Sequence, residues 1–253
     1  MNNSEYKVSK PEELKEFYNT TAVTDRYIEQ RFKRPIFQLL HLAQVSAVQN
    51  LIDTLKPAEV LEIAPGPARV SAELRGISSG RMVEQSPLML GHAAERLKTF
   101  GHSENWVLEC NDIFEFEPKT KFDLIFSFRF IRHLEAAPRL SLLSKLQDWL
   151  TPSGVLVFDA INAQVSAPLR AKNPTAYTVY DVLYEKEELI KELDSLGFRV
   201  KNLRPVQCHF LLQSRIENMI PKRFSSLSLA LIKLLESETA TNPLEWIVEC
   251  SKK

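Results

Sequence analysis

Apolar residues recur at helical spacing along "PIFQLLHLAQVSAVQNLIDTL", residues 35–55, which predicts a long amphipathic helix ended by Lys56-Pro57. The preceding "PEELKEFYNTTAVTDRYIEQRF" also reads as helical. From residue 58 short apolar runs alternate with helical ones, and "EVLEI", "GRMVE", "NWVLECND", "FDLIFSF" and "VLVFDAI" predict five strands. Between them "ARVSAELRG" predicts a helix closed by Gly76. "SPLMLGHAAERLKTFG" predicts another, with Ser86 as N-cap, Pro87 at the first helical position and Gly101 past the end. "EAAPRLSLLSKLQDWL" reads as a helix stopped by Thr151-Pro152-Ser153-Gly154, and "EKEELIKELDSLGF" as one with Gly197 past its end. Two strand-like segments close the chain, "RVKNLRPVQCHFLLQ" and "PLEWIVECSKK", with the Leu-rich helical run "PKRFSSLSLALIKLLES" between them.

Strands apolar enough to be covered on both faces, alternating with helices, imply a mostly parallel α/β sheet with helices on either side. A late hairpin would set the final strand antiparallel. No repeat, low-complexity tract or linker interrupts the pattern, so residues 1–253 read as one domain. The 32 basic and 32 acidic residues cancel, and nothing draws the whole molecule toward nucleic acid or an anionic membrane. No run approaches the ~18 apolar residues of a spanning helix. The opening "MNNSEYKVSKPEELKEF" is too polar for a signal peptide, and a cytoplasmic location is expected. Cys110, Cys208 and Cys250 are odd in number and far apart in apolar segments, as reduced core thiols would be. No CxxC or HExxH appears, and no metal site is expected.

The chemistry gathers where the strands end. In open parallel sheets ligands sit at the carboxyl ends of the strands, where the topology reverses. The first strand ends at Glu62 and enters the turn "APGPA"; the second ends at Glu84, 22 residues on, near the spacing at which an acid holds a ribose diol. The third ends at Asn111-Asp112, whose carboxylate can accept from an exocyclic amine, and the fourth at "SFRF". Each acid also has a plainer reading. Glu62 and Glu84 would be surface acids closing strands, Asp112 a turn cap, and Met89 a core residue.

This pattern resembles the class I S-adenosylmethionine-dependent methyltransferases over roughly residues 58–250. The glycine-rich turn corresponds to "EIAPGPA", the acid after strand two to Glu84 in "VEQSPLML", and the adenine-side acid to Asp112 in "ECNDI". The resemblance implies a Rossmann-like, doubly wound, seven-stranded sheet, mostly parallel with an antiparallel last strand. It further implies a core over 56–253 with a helical insertion near 221–237, an N-terminal helical lid over 1–55, and methyl transfer from S-adenosylmethionine to an O, N or C atom of a small-molecule acceptor. Glu62, Ala64 and Gly66 would receive the methionine end of the cofactor, with Ser127 and Phe128 flanking it. Glu84 would bind the ribose hydroxyls beside Gln85 and Met89, and Asp112 with the backbone of Ile113 would read the adenine edge. Tyr18 and Tyr27 fall in the expected lid, with Tyr18 facing the cofactor.

The family's acid-x-Gly-x-Gly-x-Gly pattern keeps only its middle glycine here, with Ala64 and Ala68 at the flanking positions, and its Gly-Gly before strand five is Ser153-Gly154. Pro65 and Pro67 remove two N–H donors from the turn, which would handicap a pyrophosphate site but not a phosphate-free cofactor. A protein that binds S-adenosylmethionine without methyl transfer is the alternative. A nicotinamide-dependent oxidoreductase would need the G-x-G-x-x-G that is missing.

His133, in "FIRHLEAAP", reads equally as a catalytic base or as a residue packing the loop before a helix. Arg129 and Arg132 could pair with Glu135 or with acidic groups on a substrate. Asp159 and Asn162 in "FDAIN", and Tyr177, Tyr180 and Asp181 in "PTAYTVYDVLY", could reach the same rim and contact the acceptor.

Overall fold

Alternation along the strands divides the core into two layers. In the computed structural model, which describes residues 32–177 and 179–253, β1 (Val60–Ile63), β2 (Gly80–Glu84), β3 (Trp106–Cys110), β4 (Phe122–Ser127), β5 (Leu150–Asn162), β6 (Leu183–Tyr184), β7 (Phe198–Val206) and β8 (Glu245–Lys252) form one sheet. The helices are α1 (Pro35–Leu55), α2 (Pro87–Phe100), α3 (Ala136–Trp149), α4 (Ala163–Lys172), α5 (Lys186–Ser195), α6 (Phe210–Met219) and α7 (Ser225–Lys233). Leu61, Ile63, Ile125, Leu156 and Phe158 point into the layer closed by Leu142 and Leu146 of α3 and Leu189 and Leu193 of α5. Val60, Leu124, Phe126, Val155 and Val157 point into the other, against Leu40, Val48 and Ile52 of α1 and Ala93 and Leu97 of α2. Period-two alternation with both faces covered is why these strands read as continuous apolar runs. Each such aliphatic side chain contributes about 1.5–3 kcal/mol on burial.

The strands run in the order β3-β2-β1-β4-β5-β8-β7, with β6 against the end of β5. Neighbouring strands are parallel except at β8, which is antiparallel to both β5 and β7. This is the expected doubly wound sheet with its antiparallel last strand. The chain reverses direction across the sheet between β1 and β4, so the carboxyl ends of β1 to β4 open on one rim. The eighth strand, β6, pairs two residues with Ile161 and Asn162 beyond the last β4 pairing at Ser127–Phe158. Two residues are too few to leave a pattern in the sequence.

Some local expectations change. "ARVSAELRG" forms only a 3-10 turn at Ser71–Glu73, because Val70, Ser71, Ala72 and Leu74 are all buried and leave no solvent face for an amphipathic helix. The Thr151–Gly154 stop lies within β5, which begins at Leu150 and absorbs these residues at an irregularity opposite Phe122–Leu124. The strand expected through Gln213 ends at Val206. Gln207 turns the chain with φ of 58°, and its side-chain amide donates to the Ile36 carbonyl at 3.0 Å. The insertion between β7 and β8 is therefore two helices, α6 and α7, beginning before residue 221. Of the expected lid, Tyr18 and Tyr27 lie outside the described residues, and residues 35–55 are a wall of the core rather than a cover. Cys208 and Cys250 are buried free thiols, but Cys110 is exposed at the end of β3. Among the described residues no helix is long and apolar enough to cross a membrane.

Gly154 is fixed by a close approach of strands: a Cβ there would sit 2.8 Å from the Phe122 carbonyl oxygen and 2.9 Å from Leu150. Gly154→Ala is therefore expected to destabilise the fold by about 1–3 kcal/mol, read as a lower urea midpoint at unchanged slope.

Candidate active site

The turn after β1 has a backbone that alanine rarely adopts. Ala64, Gly66 and Ala68 have φ of 50°, 55° and 50°, so the glycine-type conformation is kept where the glycines are not. Left-handed geometry costs an alanine roughly 1–2 kcal/mol, and neighbouring bonds must hold it. Glu84 provides two: Oε2 accepts the Gly66 N–H at 3.1 Å and Oε1 the Ser86 N–H at 2.9 Å. The Ala64 N–H donates to the Val83 carbonyl at 2.9 Å. Pro65 and Pro67 have no N–H, so residues 64–67 leave no amide hydrogen to aim at a ligand. A phosphate nest needs several, and this turn cannot be one.

Parity along β1 sends Glu62 into the same layer as Val60, beneath α1. There it accepts the Ser71 hydroxyl and is 3% exposed. Burial pushes its carboxyl up to about 8; Arg69 opposes the rise and the charge of Glu84 adds to it. Burial likewise raises Glu84, against the Ser86, Gly66 and Gln85 amides. The Arg69 guanidinium donates to Gln44 Oε1 at 2.6 Å and to His41 Nδ1 at 2.5 Å, and lies 4.2 Å over the Phe32 ring. His41 Nδ1 is thus an acceptor, and its Nε2–H donates to Glu73 at 2.9 Å.

Glu62, Glu84 and the turn open on a cavity of about 320 Å³, at the small end of ligand pockets. Of the residues expected at the cofactor, Glu62, Ala64, Gly66, Glu84, Gln85, Met89, Asp112, Ile113 and Phe128 line it. Asp112 also caps its turn, accepting the Phe114 N–H at 3.0 Å, as its plainer reading has it. Met89 is at once core and wall, with 2% of its surface exposed. Ser127 does not line the cavity: it is fully buried and donates to the Ile63 carbonyl at 3.0 Å.

Of the residues expected at the acceptor or as the base, His133 and Arg129 reach the wall. His133 Nδ1 lies 2.8 Å from the Tyr180 carbonyl and 3.0 Å from Asp181 Oδ1. Two acceptors on Nδ1 place the hydrogen there, and Nε2 is left buried with no partner among the described residues. The remaining acceptor candidates are turned elsewhere. Arg132 is 4% exposed, and neither it nor Arg129 pairs with Glu135. Its Nη1 bonds Asp159 and Glu245 at 2.9 Å each, and its Nε lies 3.0 Å from Asp181. Burial works against its charge, and Glu245, Asp181 and Asp159 together outweigh that and hold it more firmly protonated. Burial alone would raise Asp181; Arg132, His133 and Arg170 instead hold it well below the usual carboxylate range. Asn162 caps α4 through the Gln164 N–H at 3.0 Å and ties to the Pro243 carbonyl at 2.9 Å. Tyr177 lies under Arg170 at 4.7 Å, and Tyr180 serves the site through its carbonyl alone.

Sequence reasoning passed over Arg69, Phe114, Phe130 and Leu134 on the cavity wall, and Glu245 in the Arg132 cluster. A lone charge among the small residues of "GPARVSA" was the available signal for Arg69. Nothing local marks Glu245, whose partner is 113 positions away.

Two outcomes are expected from this geometry. Ala64→Gly relieves left-handed strain and should raise unfolding free energy by about 0.5–1 kcal/mol, read by urea denaturation. For Glu62, the folded pKa of about 8 lies above the unfolded value near 4.5, so the folded state holds the extra proton between them. Its contribution is fully present below about pH 4.5 and is lost as pH rises through 8. Glu62→Gln should remove that loss, stabilising the unliganded protein at pH 9 by on the order of 3 kcal/mol and little at pH 5, measured as melting temperature against pH.

No curated protein matches the chain by sequence. Residues 61–156 match a family model described as a methyltransferase domain. Among solved structures, the magnesium protoporphyrin IX methyltransferase (ChlM) of Synechocystis PCC 6803 with bound SAH superposes with a TM-score of 0.67 at 12% identity, over 95% of this chain and 98% of that one. The DhpI–SAH complex does so with a TM-score of 0.57 at 14% identity, over 94% of each. The mitomycin 7-O-methyltransferase MmcR gives 0.59 at 16% identity over 85% of this chain, which spans only 54% of that protein's length. Sheet order and superpositions agree on the fold: the chain has the Rossmann-like architecture of these methyltransferases, and its residues 61–156 match a methyltransferase-domain model.

Proposed function

We propose that the protein is an enzyme that binds S-adenosylmethionine and transfers its methyl group to an oxygen of a small-molecule acceptor. The observation that carries this reading is the pair of buried carboxylates, Glu62 and Glu84, facing a turn with no amide to offer a phosphate. Such a site fits a nucleoside that carries positive rather than negative charge. The neighbouring structures hold SAH or SAM in this fold, which supports the same cofactor here.

S-adenosylmethionine, when bound, supplies an activated methyl on a good leaving group. The residues of this chain do the rest. Glu62 would face the cationic methionine end, on the wall that Arg69 shares. Glu84 accepts from the Gly66, Ser86 and Gln85 amides and, with about four lone-pair sites, retains acceptor capacity for a ribose hydroxyl. Asp112 and Ile113 would meet the adenine edge, and Phe128 would offer an aromatic face to the cation. Holding the acceptor in line for attack can supply about 7 kcal/mol or more of the acceleration. His133 favours an oxygen acceptor: its free Nε2 can take the hydroxyl proton while Nδ1–H stays fixed on Tyr180 and Asp181. Asp181 then stabilises the imidazolium that forms.

Calorimetry with S-adenosylmethionine is the direct test. Dissociation in the micromolar range is expected, and no binding at millimolar concentration would overturn the reading. A cation beside Glu62 lowers its carboxyl from about 8, so binding at pH 7 should release a proton. This is seen as a dependence of binding heat on the ionisation heat of the buffer. With acceptor present, His133→Ala should lower kcat about 100-fold or more with the cofactor's KM unchanged. Normal turnover at saturating acceptor would remove the base assignment. Binding without methyl transfer to any acceptor would favour the non-catalytic alternative.

A further inference from the structure

Arg129 lies on the cavity wall just after β4, and its backbone is left-handed with φ of 62°. A bulky residue holds that conformation at a cost of order 1–3 kcal/mol and only where its surroundings enforce it. Here the Arg129 N–H donates to Asp159 Oδ1 at 2.5 Å, and Asp159 is anchored by Arg132 at 2.9 Å. The buried cluster therefore holds Arg129 in place by its main chain and leaves its side chain unengaged. Its Nε is buried without a hydrogen-bond partner, and no ion pair joins its guanidinium to a described carboxylate. Arg96 and Arg132 also have an Nε without a hydrogen-bond partner, but each has an ion pair, Arg96 with Glu73 at 3.6 Å. Arg69 bonds Gln44 and His41, Arg132 three carboxylates, and Arg139 bonds Glu192 at 2.9 Å.

An unbalanced guanidinium in a cavity that must also admit a cation needs an anion. The cofactor's methionine end is assigned above to the Glu62 side of the cavity. The charges acting on Glu62 are those of Arg69 and Glu84, with Arg129 not among them. The geometry points to an oxyanion on the acceptor: resting on the methyltransferase reading above, the substrate is a small molecule bearing a carboxylate or phosphonate that Arg129 binds beside the oxygen facing His133. Planar two-point recognition of such groups is what arginine offers over lysine.

The test uses the full chain saturated with S-adenosylhomocysteine, titrated by calorimetry with 4-hydroxybenzoate, 4-hydroxyphenylphosphonate and the neutral isostere 4-hydroxybenzamide. At least one anion is expected to bind about tenfold or more tightly than the amide, and which one does so separates carboxylate from phosphonate acceptors. Arg129→Gln should abolish the preference and Arg129→Lys should keep part of it, both with wild-type affinity for S-adenosylhomocysteine. Equal binding of all three probes, or of none at millimolar concentration, overturns the inference, as does a preference that survives Arg129→Gln. A tenfold loss of S-adenosylhomocysteine affinity in Arg129→Gln also overturns it, by assigning the guanidinium to the cofactor. Failure of the unaltered protein to bind S-adenosylhomocysteine is a separate result that sinks the methyltransferase reading itself.

Discussion

One guanidinium organises the side of the cavity that carries Arg129 and His133. Arg132, inside the protein, meets Asp159 from β5, Asp181 from the segment before β6, and Glu245 at the start of β8. Removing any of these charges from water is expensive, and the group is stable only because each has a partner. Two of the three carboxylates then act outward. Asp159 fixes the main chain of Arg129, and Asp181 sits against the ring nitrogen of His133. Residues that face the cavity are thus aimed by residues that do not, and the loop after β4 takes its shape from strands distant in sequence.

The side of the cavity lined by Glu62 and Glu84 is built on the opposite arrangement, with acids in excess. Glu62 and Glu84 are both buried, Arg69 acts against the rise at Glu62, and burial still leaves both reluctant to ionise. A positive charge placed beside these carboxylates would favour their ionised forms. Arg69 is in turn spread over Gln44, His41 and the Phe32 ring, so α1 contributes to the charge balance of the site as well as to its wall.

The sheet, the caps of α2 and the acid at each strand end could be read from the sequence because each is local. Alternation, Ser86-Pro87 and Gly101 act within a few residues, and the structure places them as expected. Arg132, Asp159 and Asn162, expected at the acceptor, instead meet partners inside the protein. A sequence shows that charged residues stand near a rim, but their partners lie 27 and 113 positions away and decide which way each side chain turns. Ser127 was likewise placed at the right height and on the wrong side. The alanines of the turn looked like a weakened glycine motif; their left-handed backbones show that the conformation was retained and the small residue was not.

That retention bears on how a ligand enters. The only amide hydrogen between the two prolines is already committed to Glu84, and both prolines have fixed φ. Nothing in this stretch has to order itself on contact, so little chain entropy is lost there when a nucleoside arrives. Any gate on entry must come from another part of the molecule, because this wall stands ready-shaped before its guest.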